Sequence, residues 1–227
     1  MRPVFKFGML FILILLPVLF YLFFHAFGEN NFSLKIYYHR GVDTVLVNGN
    51  PRIDSIYHTV PDFNLISQTG DIVTQKNLAG KIYVADFFFT RCPSICPVMT
   101  SELTRVAKVF ADNPDIKIIS HTVDPEYDTV EVLRDYAARY NADPNQWHFV
   151  TGRKKEIYDL ARKGYFIAAK EGDTGPVDFI HSQRFVLFDK EKRIRGYYDG
   201  TDKKDVDRLI TEIGVLLINN KERKLRK

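Results

Sequence analysis

A single α/β domain with a central mixed β-sheet flanked by helices, preceded by one N-terminal transmembrane helix, is the architecture the sequence predicts. Three observations lead to it. Beyond residue 60, short runs rich in β-branched and aromatic residues alternate with stretches whose apolar residues recur at helical spacing. Near the C-terminus two such runs are separated by a short polar link, the mark of an antiparallel hairpin added to otherwise alternating elements. The beginning of the chain, by contrast, is one long uncharged apolar stretch.

From Phe7 to Gly28 there is no Lys, Arg, Asp or Glu, and most side chains are Leu, Ile, Phe or Val. A helix rises 1.5 Å per residue, so roughly 20 such residues cross a hydrocarbon core of about 30 Å. Arg2 and Lys6 precede the stretch and Glu29 follows it. That asymmetry leaves residues 1–6 in the cytoplasm and 7–28 in the cell (inner) membrane, with everything later on the extracytoplasmic, periplasmic side. A cleaved signal peptide is the competing reading, but it wants a shorter apolar region and small residues at its cleavage site. The exit reads Phe23-Phe24-His25-Ala26-Phe27-Gly28, bulky where small side chains are needed, so an uncleaved anchor is favoured.

Residues 29–59 read as a tether and irregular lead-in, with a short extended piece at Thr44 to Val47 and an Asn48-Gly49 turn signal. The globular domain is expected over 60–219. Its first strand is Lys81 to Phe89, a near-continuous apolar run of the kind buried on both faces. Val98 to Phe110 follows as a helix, with Val98, Leu103, Val106, Ala107 and Phe110 on its apolar side. Ile116 to Val123 is the second strand. Thr129 to Asn141 is the second helix, carrying Val130, Leu133, Ala137 and Tyr140 at helical spacing. Lys154 to Lys163 makes a shorter third helix. The strands Arg184 to Phe188 and Ile194 to Tyr198 form the hairpin, turning through Asp189-Lys190-Glu191-Lys192-Arg193. A last helix runs from about Lys203 to Ile218, with Val206, Leu209, Ile210, Ile213 and Leu217 facing inward. Strand, helix, strand, then helices, a hairpin and a closing helix is the order of a thioredoxin-like domain. Residues 220–227 form a basic tail that reads as frayed and solvated.

With 45% hydrophobic and 26% charged residues, the 227-residue chain can build a core and is not disordered. Lys and Arg are interleaved with Asp and Glu and the net charge is +4, which gives nucleic acid little support as a partner.

The two cysteines, Cys92 and Cys96, both lie beyond the apolar stretch, in a compartment where thiols tend to oxidise. A multi-disulfide framework is excluded, so they form a local pair or bind something. They sit between the predicted buried strand and the first helix, where free backbone N–H groups favour thiolate over thiol and Pro97 fits the first turn. Thiolate is the form that attacks disulfides and binds soft metals. A static disulfide is the plainer alternative, yet closing so short a loop removes little chain entropy. A corner flanked by Pro93 and Pro97 suits exposed chemistry better.

Two thiolates rarely complete a metal site, and the six histidines are the candidates for a further donor. His25 lies near the end of the apolar stretch, His39 and His58 in the lead-in, His121 within a strand, and His148 beside Trp147 in what reads as packing. His181 precedes the strand Arg184 to Phe188, in a loop that faces the cysteine corner in a thioredoxin-like domain. Placement alone leaves it open between a ligand and an ordinary surface histidine.

The run Phe87-Phe88-Phe89-Thr90-Arg91-Cys92-Pro93-Ser94-Ile95-Cys96-Pro97 resembles the signature of the Sco/SenC family, membrane-anchored copper chaperones for cytochrome c oxidase assembly. Ser120-His121-Thr122-Val123-Asp124-Pro125-Glu126-Tyr127-Asp128-Thr129 looks like that family's Asp-Pro-Glu segment. Trp147-His148-Phe149-Val150-Thr151-Gly152 looks like its Trp…Thr-Gly strand end, and His181-Ser182 sits where the family places its single histidine ligand. The likeness extends from roughly Val60 to Ile213. It implies one copper ion, Cu(I) or Cu(II), held by Cys92, Cys96 and His181 and delivered to a respiratory oxidase subunit. A metallochaperone rather than an enzyme is the expectation. Thiolates suit Cu(I), imidazole suits copper in either state, and three ligands leave access for transfer. Zinc also accepts such a set, but structural zinc takes a fourth protein ligand, and none stands out.

Where many members carry Val-Asp-His, this chain reads Val177-Asp178-Phe179-Ile180-His181, which separates the acid from the histidine. Ala168 to Pro176, with Gly172 and Gly175, reads as a flexible loop that lets His181 swing in when metal binds. Asp124 is a candidate acid behind the ligands, or else a turn former with Pro125. Thiol–disulfide exchange with a partner protein through the redox-active pair Cys92 and Cys96 is the main alternative function. A peroxidase reading, with Thr90 and Arg91 beside Cys92, fits the spacing poorly.

Overall fold

The computed structural model describes residues 3–27, 33–47, 50–167 and 182–225. The Asn48-Gly49 turn, the loop Ala168 to Pro176 and His181 lie outside the described residues. The chain forms two compact units, Met1–Ser33 and Leu34–Lys227.

The first unit is one helix, α1 (Pro3–Phe27), with Pro17 inside it. Its described side chains, 11–24, are apolar or aromatic and all exposed. Among the described residues no helix is long and apolar enough to cross a membrane. The stretch 11–24 rises about 21 Å against a bilayer core of about 30 Å, and the span expected over 7–28 reaches beyond it at both ends.

The second unit opens with an antiparallel hairpin, β1 (His39–Val47) and β2 (Asn50–Tyr57), where an irregular lead-in was expected. Then come β3 (Asn64–Ser67), β4 (Ile72–Thr74), β5 (Ile82–Phe88), α2 (Ile95–Val109), β6 (Ile116–Thr122), α3 (Val130–Arg139) and β7 (Trp147–Thr151). The chain continues through α4 (Lys154–Asp159), β8 (Arg184–Phe188), β9 (Ile194–Asp199) and α5 (Lys203–Leu225). Seven strands make one mixed sheet in the order β4-β3-β7-β6-β5-β8-β9. β5, β6 and β7 are parallel; β8 runs antiparallel to β5, and β9 antiparallel to β8 as the short link implied. This is the thioredoxin-like arrangement expected, with two short strands, β3 and β4, whose few residues gave no clear periodicity.

β5 is buried along its whole length. Its period of two sends Ile82, Val84 and Phe88 into one core and Tyr83, Ala85 and Phe87 into the other. The first core is closed by Met99, Leu103 and Val106 of α2, Leu133 and Ala137 of α3, and Leu209 and Ile213 of α5. The second is closed by Ile157 and Leu160 with Tyr165.

Several boundaries differ from expectation for physical reasons. The first domain helix begins at Ile95, not Val98, because Pro97 is tolerated within the first turn. The third helix is α-helical only to Asp159; Leu160–Gly164 widens to a π-turn, with Tyr165 N–H donating to the Leu160 carbonyl at 2.9 Å. The last helix continues to Leu225, so most of the supposed basic tail is helical backbone. The compact unit also starts well before residue 60. Leu34 is buried in the first core, and Tyr37 N–H donates to the Ile194 carbonyl at 3.0 Å. Arg195, itself buried, staples this entry: its guanidinium binds the Leu34 and Lys35 carbonyls and the Asp189 carboxylate.

Two buried titratable groups face opposite cores. Asp86 accepts a hydrogen bond from Ser120 Oγ at 2.5 Å, and burial pushes its carboxyl up to about 7. His121 stacks on Phe87 at 4.9 Å, and burial holds its ring down to about 3. Asp86 keeps a proton that the unfolded chain loses, so its contribution falls as pH rises from about 4 to 7. His121 stays neutral where the unfolded chain takes up a proton, so its contribution rises with pH over about 3 to 6.5. The two slopes oppose each other. In an Asp86→Asn variant, urea unfolding titrated across pH 4–6.5 is expected to show stability rising by roughly 1 kcal/mol per pH unit, steeper than in the parent.

Candidate metal centre

The central parallel strands end together, and the cysteine loop leaves from there. Phe88 is the last residue of β5, and Cys92 N–H turns back to the Phe89 carbonyl at 3.2 Å. The loop is fastened by the segment after β6. Asp128, fully buried, accepts from Thr90 N–H at 3.1 Å and from the hydroxyls of Thr90 and Thr122. Val123 N–H donates to the Phe88 carbonyl at 2.8 Å, tying the same segment to the end of β5.

Asp124 performs the turn-forming role considered for it, since its carbonyl accepts from Tyr127 N–H at 3.1 Å and Asp128 N–H at 2.9 Å. Its carboxylate meets the guanidinium of Arg91, which lies over the Tyr127 ring at 4.1 Å. The acid therefore bears on the residue next to Cys92. Asp128 and Tyr127 were passed over in the sequence, although both stand in the quoted Asp-Pro-Glu segment. Asp86 was passed over too, and an acid inside an apolar strand run was the available signal.

Both cysteines are free thiols with little exposure. Cys96 is the second residue of α2, and Cys92 lies three residues before the helix begins. Burial pushes the Cys92 thiol up, but the backbone N–H groups of Cys96 and Ser94, with their side chains, outweigh it and hold it below the usual range. Cys96 is deeper. Burial pushes its thiol up to about 12, eased by a backbone hydrogen bond at Phe89 and reinforced by Cys92 and by the charge of Asp86. Cys92 is thus the sulfur that gives up its proton more readily, and Cys96 the one that holds its proton until a metal or a disulfide removes it. Exposed Pro93, Ser94, Pro97 and Val98 surround the pair.

The other histidines are accounted for elsewhere. His58, buried, has its Nε2 at 2.8 Å from the Gly164 carbonyl and its Nδ1 at 2.9 Å from Arg40. His121 points into the core opposite the cysteines, 3.0 Å from Tyr165 Oη. His39 is exposed and packs edge-on to Tyr57, and His148 is half-buried in β7. His25 lies on α1. Among the described residues no third His, Cys, Asp or Glu joins the two sulfurs in a metal-holding cluster.

The model of the family described as SCO1/SenC matches residues 53–216. The SCO1 protein homolog of Bacillus subtilis is 33% identical over 162 residues, covering 70% of this chain and 83% of the relative. Among solved structures, BsSco, described with a disulfide switch and as a member of the Sco family of cytochrome c oxidase assembly proteins, shares 33% identity. Its TM-score is 0.59, over 69% of this chain and 92% of that one. Arabidopsis thaliana ScoI with copper bound is 31% identical with a TM-score of 0.55, over 72% and 99%.

The difference between the two thiols has a direct readout. Iodoacetamide at limiting concentration and pH 8 is expected to modify Cys92 several-fold faster than Cys96, as resolved by peptide mass spectrometry. Asp128→Ala strands three donors and is expected to cost about 1–3 kcal/mol in urea unfolding while narrowing that rate difference.

Proposed function

The chain belongs to the SCO1/SenC family, and from that premise we propose that it is a membrane-anchored copper chaperone that binds one copper ion through Cys92, Cys96 and His181 and delivers it to a respiratory oxidase. The observation that carries the reading is the pair of free thiols at the start of α2, one held below the usual thiol range and the other kept protonated by burial. Soft thiolates favour Cu(I), and an imidazole third donor serves either oxidation state. The copper-bound state of the Arabidopsis relative and the oxidase-assembly description of BsSco support the same cargo and client. Arg91, fixed by Asp124 and Tyr127, sets the loop on which Cys92 is presented.

The anchor is α1. A helix whose described side chains are apolar or aromatic and all exposed suits a hydrocarbon surround, and the uncharged run Phe7 to Gly28 is long enough to span a bilayer. Arg2 and Lys6 keep the N-terminus in the cytoplasm and the copper-binding unit outside.

Thiol–disulfide exchange with a partner protein is the second reading, favoured by the unequal thiols and by the disulfide switch described for BsSco. The two readings separate at His181. The reduced full chain is expected to bind one equivalent of copper. His181→Ala is expected to weaken binding at least about tenfold while leaving the rate of disulfide formation within about twofold of the parent. Oxidation of Cys92 and Cys96 to a disulfide is expected to abolish binding. A reduced parent without stoichiometric copper, by equilibrium dialysis and metal analysis, leaves the exchange reading alone.

A further inference from the structure

Cys96 owes its depth to α2, and a side chain from another helix holds α2 at that turn. Thr100 stands one turn after Cys96, on the same face of the helix. Its hydroxyl donates to the Cys96 carbonyl at 2.8 Å. That uses the one proton the hydroxyl has. At its second contact, Tyr136 Oη at 2.9 Å, Thr100 is therefore the acceptor and Tyr136 the donor. Burial holds the Tyr136 phenol well above its usual range, against the pull of the Thr100 hydrogen bond, so it keeps the proton it donates. Cys96, Thr100 and Tyr136 are all buried, where successive hydrogen bonds strengthen one another. The result is a relay of two bonds, from Tyr136 to Thr100 to the backbone of Cys96.

Tyr136 is fixed from the other side as well. Its ring packs against Phe88, the last residue of β5, at 5.2 Å, against Phe149 of β7 at 5.7 Å, and against Tyr140 at 5.1 Å. One side chain of α3 therefore touches the strand that enters the cysteine loop and, through Thr100, the helix that leaves it. The same stretch of chain grips the loop a second time. Asp128, two residues ahead of α3, binds Thr90 on the Cys92 side, and Tyr136, the seventh residue of α3, reaches the Cys96 side. Packing asks only for an aromatic ring at 136. The hydroxyl is what reaches Thr100.

We propose that Tyr136 is a positioning residue for Cys96: through Thr100 it fixes the first turn of α2 and keeps the deeper sulfur turned into the core. The inference rests on Cys96 being a working sulfur, and it serves both readings of the site, copper ligand and exchanging thiol. Without the donated bond the Thr100 hydroxyl loses its tie to α3, the turn is free to shift, and the Cys96 thiol becomes easier to reach. Cys92 lies outside that turn and is held by the Asp128 grip instead, so it is left as it was.

The reduced full chain and its variants are alkylated with limiting iodoacetamide, without copper or denaturant, and the two cysteines are followed separately by peptide mass spectrometry. Tyr136→Phe, which keeps the ring, is expected to raise the Cys96 rate at least about threefold and to leave Cys92 within about twofold of the parent. Thr100→Val is expected to do the same, and Thr100→Ser, which keeps the hydroxyl, to match the parent. Because both changes break one link, the double variant Thr100→Val/Tyr136→Phe is expected to match Tyr136→Phe rather than multiply the two effects. A general loosening of the fold raises both cysteines together and lowers the urea midpoint. A Cys96 rate in Tyr136→Phe equal to the parent's, equal acceleration of both thiols, or multiplied effects in the double variant overturns the proposal. Copper is measured on the same samples. A reduced parent that takes up none overturns the copper reading, while the alkylation rates still decide the role of Tyr136.

Discussion

β5 is covered on both faces, and that constraint sets where chemistry can occur. A strand with one core on each side has no exposed face for a functional group. What it can offer is its end. The chain must leave the sheet at Phe88, and α2 must begin close by because Cys96, Met99 and Leu103 have to reach the first core. The cysteine loop is the short path between these two requirements. Asp128 and the Val123–Phe88 hydrogen bond hold it from the segment that follows the parallel neighbour β6, so the corner is fastened to the sheet.

The same geometry separates the two sulfurs. Cys92 lies outside the first turn of α2 and collects its free N–H groups, whereas Cys96 is drawn down by the helix into the apolar core. Ser94 and Asp86 add to the inequality of the thiols, but position comes first. The three-residue spacing across a helix start creates it, by placing one sulfur among hydrogen-bond donors and the other in a low dielectric.

The sequence showed the sheet-forming runs and the amphipathic helices because long elements that bury one face or two must repeat their apolar residues at a fixed period. The run Lys81 to Phe89 and the helix Thr129 to Asn141 fall within two residues of β5 and α3. β3 and β4 are too short to repeat, and the hairpin β1–β2 exposes Val42, Val45, Ile53 and Ile56, so its pattern follows no buried face. The helix start at Ile95 was hidden behind Pro97, which reads as a boundary from either side. In the site, the cysteines announced themselves by spacing and context. Asp128 did not, because its role depends on Thr90 and Thr122 arriving from elsewhere in the chain. His181 came from resemblance rather than from any rule of local structure, and it lies outside the described residues.

Arg195 has a mechanical consequence. Because it grips the Leu34 and Lys35 carbonyls and is held by Asp189, any tension arriving along the chain from Ser33 is delivered to β9. β9 is the edge strand, with β8 between it and β5. Such a load tests the outer seam of the sheet before it reaches β5, the strand that leads into the cysteine loop. A pull on the entry segment at Leu34 and Lys35 is therefore taken up first at the sheet's edge, two strands away from β5.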